Sequence, residues 1–136
     1  MKAVVLVVLA GLAACATTPS GPPPVKEAQV NQTGEDVALA HVLVPGYVTI
    51  VDFWSQSCGA CVIVGDKVST AIAGQPRVVM RKIDVGDGFT PVAKTFEIEA
   101  LPHYNVYDRK QRLRYILVGN DCLRAPELAR ALDAED

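Results

Sequence analysis

From residue 34 onward, apolar and polar positions follow two rhythms in turn. After Gly34-Glu35-Asp36, the stretch VALAHVL places its apolar residues on one helical face, so a short helix is predicted there. Pro45-Gly46 marks a turn. Residues 47–53 (YVTIVDF) form a β-branched apolar run of strand length, the pattern of a central strand covered on both faces. Residues 58–73 return to a helical period through Val62, Val64, Val68 and Ile72, with Gly74 as a stop. Residues 77–85 predict a second strand and 90–96 a short helix. Two further strands, 103–108 and 112–118, are separated only by Arg109-Lys110-Gln111, which predicts an antiparallel hairpin. Residues 126–132 close the chain as a helix, with Pro126 suited to its first turn. The tyrosines 47, 104, 107 and 115 fall on strands and are expected in the core or on a sheet face. The order helix, strand, helix, strand, helix, strand, strand, helix predicts an α/β domain with a mixed sheet flanked by helices.

Before residue 34 the rhythm is different. Lys2 precedes a ten-residue apolar run, 3–12, too short to span a bilayer and of signal-peptide length. Leu12-Ala13-Ala14-Cys15 follows and resembles a bacterial lipobox, in which the cysteine carries the lipid. The expected division is a lipoprotein signal peptide over 1–14, a lipidated Cys15 with a Pro-rich linker over 15–33, and a folded domain over 34–136. The plainer alternative is an ordinary signal peptide with an incidental cysteine. Pro19 and Pro22-Pro23-Pro24 suit an extended spacer lifting a domain from a surface. A lipid anchor implies a bacterial cell envelope protein facing the periplasm. Ala16, standing where an Asp would favour the inner membrane, leans toward the outer one.

The chain has 136 residues, 50% apolar and 21% charged, which is enough to bury one core. A net charge of −2 with no basic patch argues against nucleic acid as a partner. The cysteines at 15, 58, 61 and 122 are too few and too irregular for a disulfide-stapled scaffold. A monomer is expected.

Chemistry concentrates at Cys58-Gly59-Ala60-Cys61, where a strand gives way to a helix. A thiol at a helix N-terminus meets free backbone N–H groups and the positive end of the macrodipole, both of which stabilise a thiolate. Cys61 lies one turn further on the same face and can attack a mixed disulfide formed at Cys58. Gly59 leaves room for another polypeptide to approach. A structural zinc site would need about four ligands, and Cys122, His41 and His103 supply no second paired motif, so neither metal nor cofactor is expected.

Four features in order give a family resemblance: Val51-Asp52-Phe53-Trp54 before the cysteines, Cys-Gly-Ala-Cys itself, Leu101-Pro102 just before a strand, and Val118-Gly119 at the end of the last strand. Together the stretch from about Glu35 to Leu132 resembles thioredoxin. The resemblance implies a thioredoxin-like fold, with Cys58 as the nucleophile and Cys61 as the resolving thiol. Asp52 matches the buried acid behind the second cysteine, where a raised pKa would let it exchange a proton with Cys61; the alternative is a merely hydrogen-bonded carboxylate. Trp54 matches the indole near the site, in a packing or a catalytic role. Leu101-Pro102 matches an X-cis-Pro whose backbone edge faces a substrate strand.

Departures from the family pattern matter too. Ala60 replaces a common Pro and leaves an extra N–H in the first helical turn. Met80 stands where some members carry a Lys, so no cation is expected beside Asp52. His103 follows the proline and is expected near the cysteines, either tuning the thiolate or simply solvated. Cys122 is expected as a free or semi-buried thiol. The reading is an envelope thiol–disulfide oxidoreductase that exchanges disulfides with protein substrates and an envelope redox partner. The alternative is a non-catalytic thioredoxin-like module with a static disulfide.

Overall fold

A computed structural model describes residues 21–135, so the leader, Cys15 and Pro19 lie outside the described residues, while Pro22–Pro24 lie within them. The central strand is the apolar run read from sequence: β2 (Val48–Trp54), in which every residue but Trp54 is buried. β3 (Val78–Asp84) pairs with it in parallel, and β4 (His103–Tyr107) pairs on its other side antiparallel. β5 (Leu113–Val118) closes the predicted hairpin against β4.

A fifth strand was not expected. β1 (Glu27–Gln29) lies inside the segment assigned to the linker, and it pairs in parallel with β3. The sheet order is therefore β1-β3-β2-β4-β5, and the folded unit begins before residue 34. Three residues of mixed polarity carry no readable alternation. Their strand conformation comes from the free edge of β3, with Met80 N–H donating to the Lys26 carbonyl and Val30 N–H to that of Lys82. The chain is then stitched down: Asn31 bonds both backbone groups of Asp84, and Thr33 Oγ1 donates to its carboxylate. Gly34 turns back at φ +75°, where a Cβ would stand 2.6 Å from Thr90.

The helices are α1 (Leu39–Val42), α2 (Gly59–Ile72), α3 (Pro91–Thr95) and α4 (Ala125–Asp133), with a 3-10 helix over Gly119–Arg124. α1 is shorter than its apolar pattern suggested, and the 3-10 helix links β5 to α4. Strand alternation sends side chains into two cores. On one face Ile50, Met80, Tyr104 and Val106 meet Val68 and Ile72 of α2 and Ala129 and Leu132 of α4. On the other, Val51, Phe53 and Ile83 meet Val42 of α1 and Val92 of α3. Truncating a fully buried residue such as Ile72 to Ala would cost about 2–5 kcal/mol. Both layers converge at the carboxyl end of β2, which positions the site.

Candidate active site

β2 ends at Trp54, and the chain turns through residues 55–57 into α2. Cys58 N–H donates to the Ser55 carbonyl at 3.1 Å, closing the turn. Cys58 is the N-cap of α2, and its sulfur accepts a hydrogen bond from Cys61 N–H at 3.1 Å. That bond uses one of the orphan N–H groups of the first turn, the arrangement that favours negative charge on sulfur. The two cysteines, 5.2 Å apart at Cα, are joined as a disulfide. Their exposures differ in kind: Cys58 is half-buried and Cys61 is only 2% exposed. An incoming sulfur therefore meets Cys58 first. A Cβ at Gly59 would meet nothing within 4 Å, so the surface there is open. Ala60 is exposed beside it, and Val62 and Ile63 add apolar exposed surface.

A groove of about 540 Å³ runs from Cys58 past Ser55 and Ser57, between residues 85–89 and 98–101. Phe89 stands at its edge with 82% exposure. Leu101 lines this groove, and the Leu101–Pro102 peptide is cis. The Pro102 carbonyl accepts Gly119 N–H at 2.8 Å, tying the loop to the end of β5.

Asp52 lies on the α2 face of β2 with no solvent exposure, and neither carboxyl oxygen has a hydrogen-bond partner. Gly65 of α2 passes directly over it, where a Cβ would stand 3.8 Å from Oδ2. Burial pushes the Asp52 pKa up to about 7, Lys82 opposes that rise, Glu27 adds to it, and the Tyr104 hydroxyl opposes it slightly. The expectation that no cation lies beside Asp52 is thus corrected. Met80 is indeed apolar and buried, but Lys82, two residues on and on the same face, sits opposite Asp52 in the ladder. Its ammonium lies 4.9 Å over the Trp54 ring, whose Nε1 donates to Gln29 Oε1 at 3.0 Å. The alternation of β3 carries that signal: whatever occupies 80 shares its face with 82.

His103 also departs from expectation. It is opposite Phe53 in the ladder, and its ring packs edge-on against Phe53 at 5.5 Å on the face away from Asp52. Its Nε2 bonds Asn105 Oδ1 at 2.9 Å, and burial lowers its pKa with Asn105 partly offsetting. None of these contacts reaches the cysteines; strand alternation gives the Asp52 face to Tyr104 instead. Cys122 is a free thiol, fully buried, donating to the Leu117 and Pro102 carbonyls at 3.4 and 3.6 Å. Among the described residues no three His, Cys, Asp or Glu side chains gather as a metal site. No helix there is long and apolar enough to cross a membrane.

Comparison with known proteins places this geometry. Over 54 residues the chain is 41% identical to mitochondrial thioredoxin of Bos taurus, a stretch covering 39% of this chain and 32% of that one. It is 32% identical over 62 residues to thioredoxin of Mycoplasma pneumoniae, covering 46% and 60%. These alignments span a third to three-fifths of the relatives' own length. Among solved structures, the reduced thioredoxin pre-protein of Schistosoma mansoni superposes with a TM-score of 0.59 at 17% identity, covering 78% of this chain and 95% of that one. The Thioredoxin family model matches residues 28–132, a span that runs from β1 to α4, and this chain belongs to the thioredoxin family.

Proposed function

We propose that this protein is a thiol–disulfide oxidoreductase that exchanges disulfides with protein substrates. The observation that carries the reading is the asymmetry of the pair: Cys58 is reachable at a helix N-terminus, and Cys61 is buried one helical turn before Gly65, which covers a buried acid whose pKa is near neutrality. In the reducing direction the Cys58 thiolate attacks a substrate disulfide. A Cys58–substrate S–S bond forms, and one substrate sulfur leaves as a thiolate. Asp52 then takes the proton of Cys61, directly or through water, as the Cys61 sulfur attacks Cys58. The Cys58–Cys61 bond forms and the second substrate sulfur leaves with the electron pair. The substrate gains two electrons and the pair returns to the disulfide.

The same reading places the protein in the bacterial cell envelope, lipid-anchored at Cys15. The fold offers support for the tether. β1 runs parallel to β2 and β3, and Lys26 Nζ donates to the Gln75 carbonyl in the turn that leads into β3. The chain therefore enters the domain at the pole opposite Cys58. A lipid at Cys15 would leave the redox pair facing away from the membrane.

Insulin reduction with dithiothreitol tests the activity. The wild type should turn over and the Cys58→Ser variant should not. A wild type inert in this assay, with a pair that mild reductant leaves unopened, would favour the static-disulfide module. Mass spectrometry of the mature N-terminus tests the anchor: an acylated Cys15 supports it and an unmodified one sinks it.

A further inference from the structure

The buried acid beneath Gly65 of α2 has a tyrosine as its cross-strand neighbour. Asp52 stands opposite Tyr104 in the antiparallel β2–β4 ladder, so both side chains rise from the same face toward α2. Both residues are 0% exposed. Neither the carboxyl oxygens nor the hydroxyl completes a hydrogen bond. Two orphan polar groups facing one buried space are costly singly and compatible together, since one is a donor and the other, once ionised, only an acceptor.

The other groups around the carboxyl are committed. The Lys82 ammonium lies over Trp54. The Glu27 carboxylate accepts the Ser69 hydroxyl and carries the same sign as Asp52. The Cys122 thiol donates to two backbone carbonyls. Gly65, directly above, has no side chain to offer. Among the described residues that face Asp52, Tyr104 is the donor left to satisfy it.

We propose that Tyr104 is a positioning residue for the acid–base step, its hydroxyl donating to the ionised Asp52 carboxylate and releasing it when Asp52 takes up a proton. The proposal rests on Asp52 as the base that deprotonates Cys61. In that step the Cys61 proton passes to Asp52, the Cys61–Cys58 bond forms, and the substrate sulfur leaves with the electron pair. Tyr104 keeps its own proton throughout, because burial and the neighbouring Asp52 drive its pKa far above the usual phenol value. Lys82 and Tyr104 favour the charged acid; burial and Glu27 oppose it.

The test is a carbon-13 NMR titration of the Asp52 carboxyl in the oxidised wild type and in Tyr104→Phe. Loss of the donor should move the Asp52 midpoint up by about one pH unit. A midpoint unchanged or lowered overturns the proposal. Should Tyr104→Phe fail to fold, 3-fluorotyrosine at position 104 keeps the ring and strengthens the donor. The midpoint should then fall, and one that stays or rises is equally fatal. A second arm follows resolution of a Cys58 mixed disulfide against pH. Tyr104→Phe should shift the rising limb upward in the wild type and do nothing further in Asp52→Asn. An equal shift in both backgrounds overturns the proposal. If Asp52→Asn resolves like the wild type, the role of Asp52 as base fails, and the NMR titration still decides whether Tyr104 pairs with it.

Discussion

The Trp54 indole donates to the Gln29 side chain, joining the residue that ends β2 to the strand at the far edge of the sheet. The contact crosses β3, and Lys82 of β3 packs over the same ring. β1 thus braces the active-site indole. Gln29→Ala should lower stability by about 1 kcal/mol in urea unfolding. Deleting residues 25–30 bares the β3 edge and should cost several times more. A deletion variant as stable as the full chain would make β1 an ornament.

The division of labour between the thiols follows from exposure. Cys61→Ser leaves Cys58 able to attack and unable to be released, so mixed disulfides with protein substrates should accumulate. Cys58→Ser keeps only the buried thiol of the pair and should trap about tenfold less or lower still. Non-reducing gels of cell extracts read this directly, and equal trapping by both variants would reverse the assignment.

The redox pair was legible because its chemistry is local: a strand, a short turn and a helix place Cys58 and Cys61 with no long-range information. The central strand was legible for the same reason, since burial on both faces leaves a continuous apolar run. Glu27–Gln29 was not, because its pairing is dictated by the open edge of β3 rather than by its own side chains. His103 is buried against Phe53 rather than solvated, because a one-residue step along a strand turns it to the face away from Asp52. The same parity put Tyr104 beside Asp52. Lys82 was hidden behind Met80, the residue the family resemblance drew attention to.

Cys122 should be inert in the native state. Burial, with Asp52 adding to it, drives its pKa up to about 12, and its thiol is engaged with two carbonyls. After reduction at pH 8, iodoacetamide should label Cys58 quickly and Cys61 slowly. Cys122 should be labelled only on unfolding, as followed by peptide mass. Rapid native labelling of Cys122 would show that the region of the 3-10 helix opens.

Acid stability should depend on Asp108. Burial alone would raise its pKa, but the backbone N–H groups of Lys110 and Arg112 and the guanidinium groups of Arg112 and Arg114 outweigh burial and hold it at about 2. A folded pKa below the unfolded one contributes stability above about pH 4 that is lost as the pH falls toward 2. Because Arg112 is largely exposed, solvent weakens the pair, and Asp108→Asn should cost about 1–2 kcal/mol at pH 7. The loss should shrink toward nothing near pH 2. A constant loss across that range would place the effect in packing instead of charge.

Asp52 works in the opposite sense. Its folded pKa of about 7 lies above the unfolded value near 3.8, so the folded state holds a proton that the unfolded state has released. Ionising it inside the domain therefore costs stability, beginning near pH 4, growing as the pH rises, and levelling above pH 7. Asp52→Asn removes that cost while leaving a buried amide to satisfy. The variant should be more stable at pH 7 by about 1–3 kcal/mol, and the advantage should vanish below pH 4. Activity should move the other way. Without the base, release of the mixed disulfide should slow by about tenfold to a hundredfold near pH 7, while the first attack by Cys58 changes little. Urea unfolding at pH 3.5 and 7 checks the first part, and stopped-flow Trp54 fluorescence of mixed-disulfide resolution checks the second. A variant that gains stability equally at both pH values would show that the carboxyl is not buried in its charged form. One that resolves at the wild-type rate would leave Asp52 without a part in the chemistry.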